Sequence, residues 1–133
     1  MNKRKKFGQH FLKSKTIAKS IVSDAKITRN DVVLEVGTGY GILIPYMCKN
    51  AKKVYSIESD RRLHISAKSN FDYSNLVLEH GDGFNSRHDF SIFISNLPYS
   101  QSRFAIEWLL QKKFSRAVII CLLYTSPSPR DRG

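Results

Sequence analysis

Asp31-Val32-Val33-Leu34-Glu35-Val36-Gly37-Thr38-Gly39-Tyr40-Gly41 is the stretch on which the fold turns. Its first half is a nearly continuous apolar run of strand length, the pattern of a strand covered on both faces. Its second half places glycine at alternate positions. Glycine permits positive φ and lets a ligand approach the backbone with no Cβ in the way. A helix over about 42–50 is expected next, with Pro45 tolerable only near its first turn. A helix N-terminus behind such a turn can stabilise an anion. A lone glycine turn is weak evidence for a nucleotide site, and its place after a buried strand strengthens it. The spacing is G-x-G-x-G rather than the G-x-G-x-x-G of dinucleotide binders, which disfavours a nicotinamide dehydrogenase.

Working outward, Ile17, Ile21 and Ala25 recur at helical spacing before this strand. After it, Lys53 to Ile57 reads as a second strand ending at Glu58, and Asp60 can cap a helix over roughly 61–69. Leu76 to Leu78 makes a third strand, and Phe90 to Ile94 a fourth. Phe104, Trp108 and Leu109 suit the inner face of a following helix, and Ala117 to Ile120 form a fifth strand. This alternation predicts an α/β fold with a mostly parallel sheet and helices on both faces. The short gap between strands three and four leaves their crossover open.

Ligands of such sheets bind beyond the carboxyl ends of the strands. Glu58 ends the second strand about 20 residues past the glycine turn, where a carboxylate can accept from both ribose hydroxyls. Asp82, between Gly81 and Gly83, ends the third and could accept from an adenine amine. The plainer readings are a solvated acid and a turn aspartate. The fourth strand runs into Ser95-Asn96-Leu97-Pro98-Tyr99-Ser100. Asn and Pro alone would make an ordinary turn. With the other strand ends, however, the segment suits a planar amine: the Asn96 amide oxygen and a nearby carbonyl can accept its protons. Pro98 stiffens the turn and Tyr99 offers a stacking face. Two acceptors draw the amine lone pair back from the ring towards an electrophilic methyl, so no strong base is required.

Composition narrows the partners. Lys and Arg total 22 against 11 acidic residues in 133, a formal charge of +11, which favours an anionic partner, with nucleic acid ahead of a membrane surface. Lys3, Arg4, Lys5 and Lys6 are the densest cluster, readable either as a solvated tail or as a phosphate-binding arm. Hydrophobic residues make up 41% of the chain, and no apolar run reaches the ~18 residues of a membrane span. Cys48 and Cys121 lie in apolar segments and read as buried free thiols of a cytoplasmic protein. The four histidines lack ligand spacing, so no metal site is assigned.

FGQHFL at 7–12, EVGTGYG at 35–41, Glu58, GDG at 81–83 and NLPY at 96–99 together resemble the ribosomal RNA adenine N6,N6-dimethyltransferases, the small-subunit dimethyladenosine transferases more than the erythromycin-resistance methylases. The resemblance covers roughly residues 7–121. It implies a Rossmann-like fold that binds S-adenosylmethionine and dimethylates adenine N6 in small-subunit ribosomal RNA, as a monomer with no membrane partner. It also implies site roles. His10 and Leu12 would line the cofactor pocket, Gly37 and Gly39 would face the methionine part, Glu58 the ribose and Asp82 the adenine. Asn96 would contact cofactor and target amine, with Asn96, Leu97, Pro98 and Tyr99 as the catalytic turn. Apart from the resemblance, the density of cations at Lys3, Arg4, Lys5 and Lys6 leads to the expectation that this cluster meets RNA phosphates.

Departures from the family pattern are Thr38 where proline is more usual, Tyr40 for leucine, Gly83 for alanine and Ser100-Gln101-Ser102 after NLPY. The expected organisation is a basic arm at 1–13, a methyltransferase domain at 14–121 that is incomplete at its C-terminus, and a disordered, non-native tail at 122–133, rich in Ser, Pro and Arg. Such a fragment would be weakly active or inactive alone. Two other readings share the fold: a non-catalytic RNA-binding or ribosome-assembly factor, and a methyltransferase acting on another adenine or on an amide. The FGQHFL arm favours the RNA-dimethylating family.

Overall fold

The computed structural model describes residues 15–121; the basic arm at 1–13 and the tail at 122–133 lie outside the described residues. The elements follow in the order α1 (Lys15–Ala25), β1 (Val32–Val36), α2 (Ile44–Asn50), β2 (Lys53–Glu58), α3 (Arg61–Asn70), β3 (Leu76–His80), a 3-10 turn (Gly83–Asn85), β4 (Ile92–Leu97), α4 (Tyr99–Leu109) and β5 (Arg116–Cys121). The strands form one sheet in the order β3-β2-β1-β4-β5, and every pairing is parallel.

Local chemistry sets the element ends. Asp60 caps α3 through Oδ1, which accepts from the N–H of Arg62 at 2.8 Å and of Leu63 at 3.2 Å. Pro45 falls in the first turn of α2, where its missing N–H costs nothing. α1 stops at Lys26, which takes a left-handed φ of 52°. The Arg116 guanidinium from β5 then donates to the carbonyls of Ala25 (2.9 Å) and Lys26 (3.0 Å), a cation placed against the negative end of the helix.

β1 alternates between two apolar clusters. Val33 packs with Ala18, Val22 and Ala25 of α1 and with Ile44, Met47 and Cys48 of α2 on one face, and Phe71 at the end of α3 joins them. Leu34 and Val36 pack on the other face with Ile57, Phe93 and Leu109 of α4. Helices therefore cover both faces, as expected. Burying a side chain such as Phe93, fully inaccessible here, contributes roughly 2–3 kcal/mol.

Four sequence expectations change. The buried stripe of α1 is Ala18, Val22 and Ala25, so Ile17 and Ile21 lie to its side, half-buried. Phe104 is 55% exposed; the inner face of α4 belongs to Ala105 and Leu109, with Trp108 half-buried beside them. Cys121 is half-buried rather than buried. β4 does not stop before Asn96: it runs on to Leu97, with Asn96 paired to Ile120 and Leu97 to Cys121.

The open crossover is also resolved. β3 pairs only with β2, and the chain passes through the 3-10 turn to lay β4 against the far edge of β1. The sheet order thus reverses between β1 and β4. A crevice opens at the carboxyl ends of strands that diverge in this way.

Candidate active site

The glycine turn holds three left-handed residues, Gly37 (φ 93°), Gly39 (58°) and Gly41 (77°). At Gly41 a Cβ would also run into the Phe71 ring. The turn is tied down by its neighbours: the Gly37 N–H donates to the Ile57 carbonyl at 2.8 Å, and the Gly39 N–H to Glu58 Oε1 at 2.8 Å. The other Glu58 oxygen accepts from the Asp60 N–H at 2.8 Å. Glu58, only 6% exposed, therefore clamps the glycine turn to the start of α3. Each oxygen keeps one lone pair for a ligand hydroxyl.

Below the turn runs a buried polar chain. Thr38 Oγ1 lies 2.6 Å from Ser56 Oγ, and Ser56 Oγ donates to Glu35 Oε1 at 2.5 Å. Burial pushes the Glu35 carboxyl up to about 8, opposed by the Ser56 hydrogen bond and assisted by the nearby Glu58 charge. Burial likewise pushes the Cys48 thiol up to about 12, leaving it inert. Thr38, in the position where proline is more usual in the resembling family, is thus the top of a hydrogen-bonded column.

At the end of β3, Asp82 is exposed and its Oδ1 caps the 3-10 turn by accepting from the Phe84 N–H at 2.9 Å. Gly83 packs against Val36: a Cβ there would sit 2.6 Å from Val36 Cγ2, so an alanine would require that side chain to move.

Asn96 is the half-buried penultimate residue of β4, and its Oδ1 is shielded from solvent with no hydrogen-bond partner among the described residues. A buried acceptor left unbonded costs ~1–3 kcal/mol, which marks a place where a donor from a ligand fits. Leu97 is buried, whereas Pro98 and Tyr99 are exposed, Tyr99 by 62%. The Ser95 hydroxyl donates to the Val36 carbonyl at 2.7 Å, fixing this segment beside the glycine turn.

A cleft of about 220 Å³ gathers Gly37, Asp82, Gly83, Asn96 and Leu97 with Gln101 from the first turn of α4. Glu58 borders it rather than lining it, its neighbours Ile57 and Ser59 forming that wall. In the sequence Gln101 stands out only as part of the departure after NLPY, not as a site residue. Its one signal is its place in the first turn of α4, where its N–H donates to the Pro98 carbonyl at 2.9 Å. The structure thus brings together Gly37, Asp82, Asn96 and Leu97, with Gly39, Glu58, Pro98 and Tyr99 adjoining them. His10, Leu12, Lys3, Arg4, Lys5 and Lys6 lie outside the described residues. Those described include no group of His, Cys, Asp and Glu arranged to hold a metal ion.

A parallel sheet reversing at β1/β4, a clamped glycine turn and an unbonded amide at the crevice define a Rossmann-like methyltransferase domain. A family model for ribosomal RNA adenine dimethylases matches residues 1–130, and the chain belongs to that family. It is 36% identical to a probable ribosomal RNA small subunit methyltransferase A of Pyrococcus abyssi, over 96% of this chain and 49% of the relative. The corresponding protein of Methanococcus maripaludis is 38% identical, over 90% of this chain and 46% of its own length. Among solved structures, a dimethyladenosine transferase from Plasmodium falciparum is 31% identical with a TM-score of 0.76, covering 89% of this chain and 44% of that one. The 23S rRNA methyltransferase ErmE shares the fold at 23% identity and a TM-score of 0.74, over 83% of this chain and 47% of its own. The chain spans about half the length of the curated relatives it matches.

Proposed function

We propose that the protein takes part in the S-adenosylmethionine-dependent dimethylation of adenine N6 in small-subunit ribosomal RNA. The observation that supports this most directly is the shielded Asn96 Oδ1, unbonded among the described residues and lining the cleft, three positions ahead of the exposed Tyr99. Family membership supports the reaction class. The cleft fits the cofactor in its chemistry: backbone without Cβ at Gly37, acceptors at Asp82 and Asn96, and a clamped carboxylate at Glu58. When bound, S-adenosylmethionine would supply the electrophilic methyl.

In this reading the chain's own residues do the following. Gly37 and Gly39 leave room for the methionine part, Glu58 accepts from the ribose and Asp82 from the cofactor adenine. Asn96 Oδ1 accepts an N–H of the target amine and turns its lone pair out of the ring. Leu97 anchors the turn in the sheet, Pro98 fixes its direction, and Tyr99 stacks the target base, worth ~1–3 kcal/mol. His10 and Leu12 would close over the cofactor, and Lys3, Arg4, Lys5 and Lys6 would meet RNA phosphates. The partner is ribosomal RNA or the small-subunit precursor, met by a cytoplasmic monomer. No helix of the described residues is long and apolar enough to cross a membrane.

Two measurements test this reading. Calorimetry should show S-adenosylmethionine binding with no affinity for a nicotinamide dinucleotide. Mass spectrometry of nucleosides should detect N6,N6-dimethyladenosine in small-subunit RNA treated with the chain, or with a chimaera carrying a relative's C-terminal half. Cofactor binding with methylation of some other base would overturn the assigned reaction.

A further inference from the structure

We propose that the amino-terminal end of the sheet, opposite the cleft, is a second RNA-contact face that holds the phosphate backbone of a folded RNA. This rests on the RNA reading above and goes beyond it, since no residue of the cleft or of the basic arm is involved.

In a parallel sheet every strand begins at the same end, so the segments leading into the strands share one surface. Here those segments carry cations. Lys52 and Lys53 stand at the start of β2, Arg87 precedes β4, and Lys112 and Lys113 precede β5. Arg87, Lys112 and Lys113 line a hollow of about 230 Å³, walled by Ser86 to Phe90 on one side and Gln111 to Lys113 on the other; Lys52 and Lys53 are not part of its lining. Arg87, Lys112 and Lys113 are exposed, and none of them is in an ion pair with another described residue. Asp89 is the single carboxylate in the lining.

The floor of this hollow is fixed. His88 Nε2 is 2.8 Å from Glu79 Oε2, and its ring stacks on Tyr55 at 3.8 Å. Phe90 stacks on Trp108 with ring centroids 6.0 Å apart, and Lys112 Nζ is held 4.9 Å above the Trp108 ring. At least one cation is therefore positioned before any ligand arrives, which lowers the ordering cost of binding. Unpaired cations flanked by the Ser86 and Gln111 side chains suit a chain of phosphates better than a single carboxylate. The strands are five or six residues long, so the two ends of the sheet stand roughly 20 Å apart. One folded RNA can present a target loop at the cleft and a neighbouring segment at this end.

The test uses the full chain with a probe of roughly 20 base pairs of hairpin RNA carrying an adenine-containing loop, bound over a range of salt concentrations. In the triple variant Arg87→Gln, Lys112→Gln, Lys113→Gln, the magnitude of the slope of log K against log salt should fall by about 2–3, each lost phosphate contact contributing ~0.7–0.9. Affinity for S-adenosylmethionine should be unchanged. A control triple, Arg61→Gln, Arg62→Gln, Lys68→Gln on α3, removes the same charge elsewhere and should move the slope less. An unaltered slope in the first triple, or an equal fall in the control, overturns this face while leaving the RNA reading intact. A parent chain that binds no RNA overturns the RNA reading and this face with it.

Discussion

Replacing Glu35 with Gln should change how stability depends on pH while keeping the hydrogen bond from Ser56, because the amide oxygen can still accept it. Glu35 has its carboxyl raised to about 8, against an ordinary 4.5 once unfolded. The sign follows from proton counting. Between those values the folded chain holds a proton that the unfolded chain releases, so the stability this group contributes is fully present below pH 4.5 and declines as pH rises towards 8. Above that both states are ionised and the slope vanishes. Within the window the parent should lose about 1.4 kcal/mol per pH unit from this group alone. The Gln variant lacks that contribution, so the gap between the two proteins should widen with pH in the variant's favour. Urea unfolding followed by Trp108 fluorescence, repeated from about pH 5 to about pH 7.5, reads both stabilities with a common m-value. Other titrating groups are shared by the pair and cancel in the difference. Parallel stability curves across the window would refute a neutral, buried Glu35. A Ser56→Ala variant adds a check. It removes the hydrogen bond that opposes the rise, so the slope should extend to higher pH.

Three further outcomes are expected. Glu58→Ala leaves the Gly39 and Asp60 N–H groups unbonded, so calorimetry should show S-adenosylmethionine binding weakened by about 1–3 kcal/mol. Asn96→Ala removes an oxygen with no hydrogen-bond partner among the described residues, so thermal stability should hold or rise, by up to about 1–3 kcal/mol, while methyl transfer by a chimaera with a relative's C-terminal half is lost. Gly41→Ala should destabilise the domain by about 1–3 kcal/mol in urea, because φ of 77° and the Phe71 ring both oppose a Cβ.

Much of the architecture was legible because its signals are local. The run Val32 to Val36, the glycine turn after it and the Asp60 cap each specify their structure within a few residues. What escaped depends on distant partners. Ser95 and Asn96 read as a break because they are polar, yet the Ser95 hydroxyl is satisfied by Val36 and the Asn96 backbone pairs with Ile120. Glu35 passed as one residue of an apolar run; its role depends on lying opposite Ser56 across β1 and β2. Six of the seven residues from Phe104 to Leu110 are apolar, so periodicity alone could not choose the stripe of α4. Ala105 and Leu109 face inward, four residues apart. Of the candidate site, the strand-end residues Asp82 and Asn96 were readable from their position, whereas Gln101 entered only through the direction in which α4 leaves the sheet.

The position of β1 between β2 and β4 also governs the order in which this chain can assemble. With every pairing parallel, no two strands can form a hairpin, and each contact must await an intervening segment. As the chain leaves the ribosome, β1, β2 and β3 can associate first, leaving the backbone edge of β1 unpaired. That edge stays open until Leu97 has emerged, more than sixty residues after β1 began. The glycine turn is complete long before its neighbour Asn96 arrives, so the half-made cleft is the part of the nascent chain most exposed to misassociation. Slowing translation between the codons for β3 and β4 should therefore lengthen the aggregation-prone interval, whereas a pause after β5 should not.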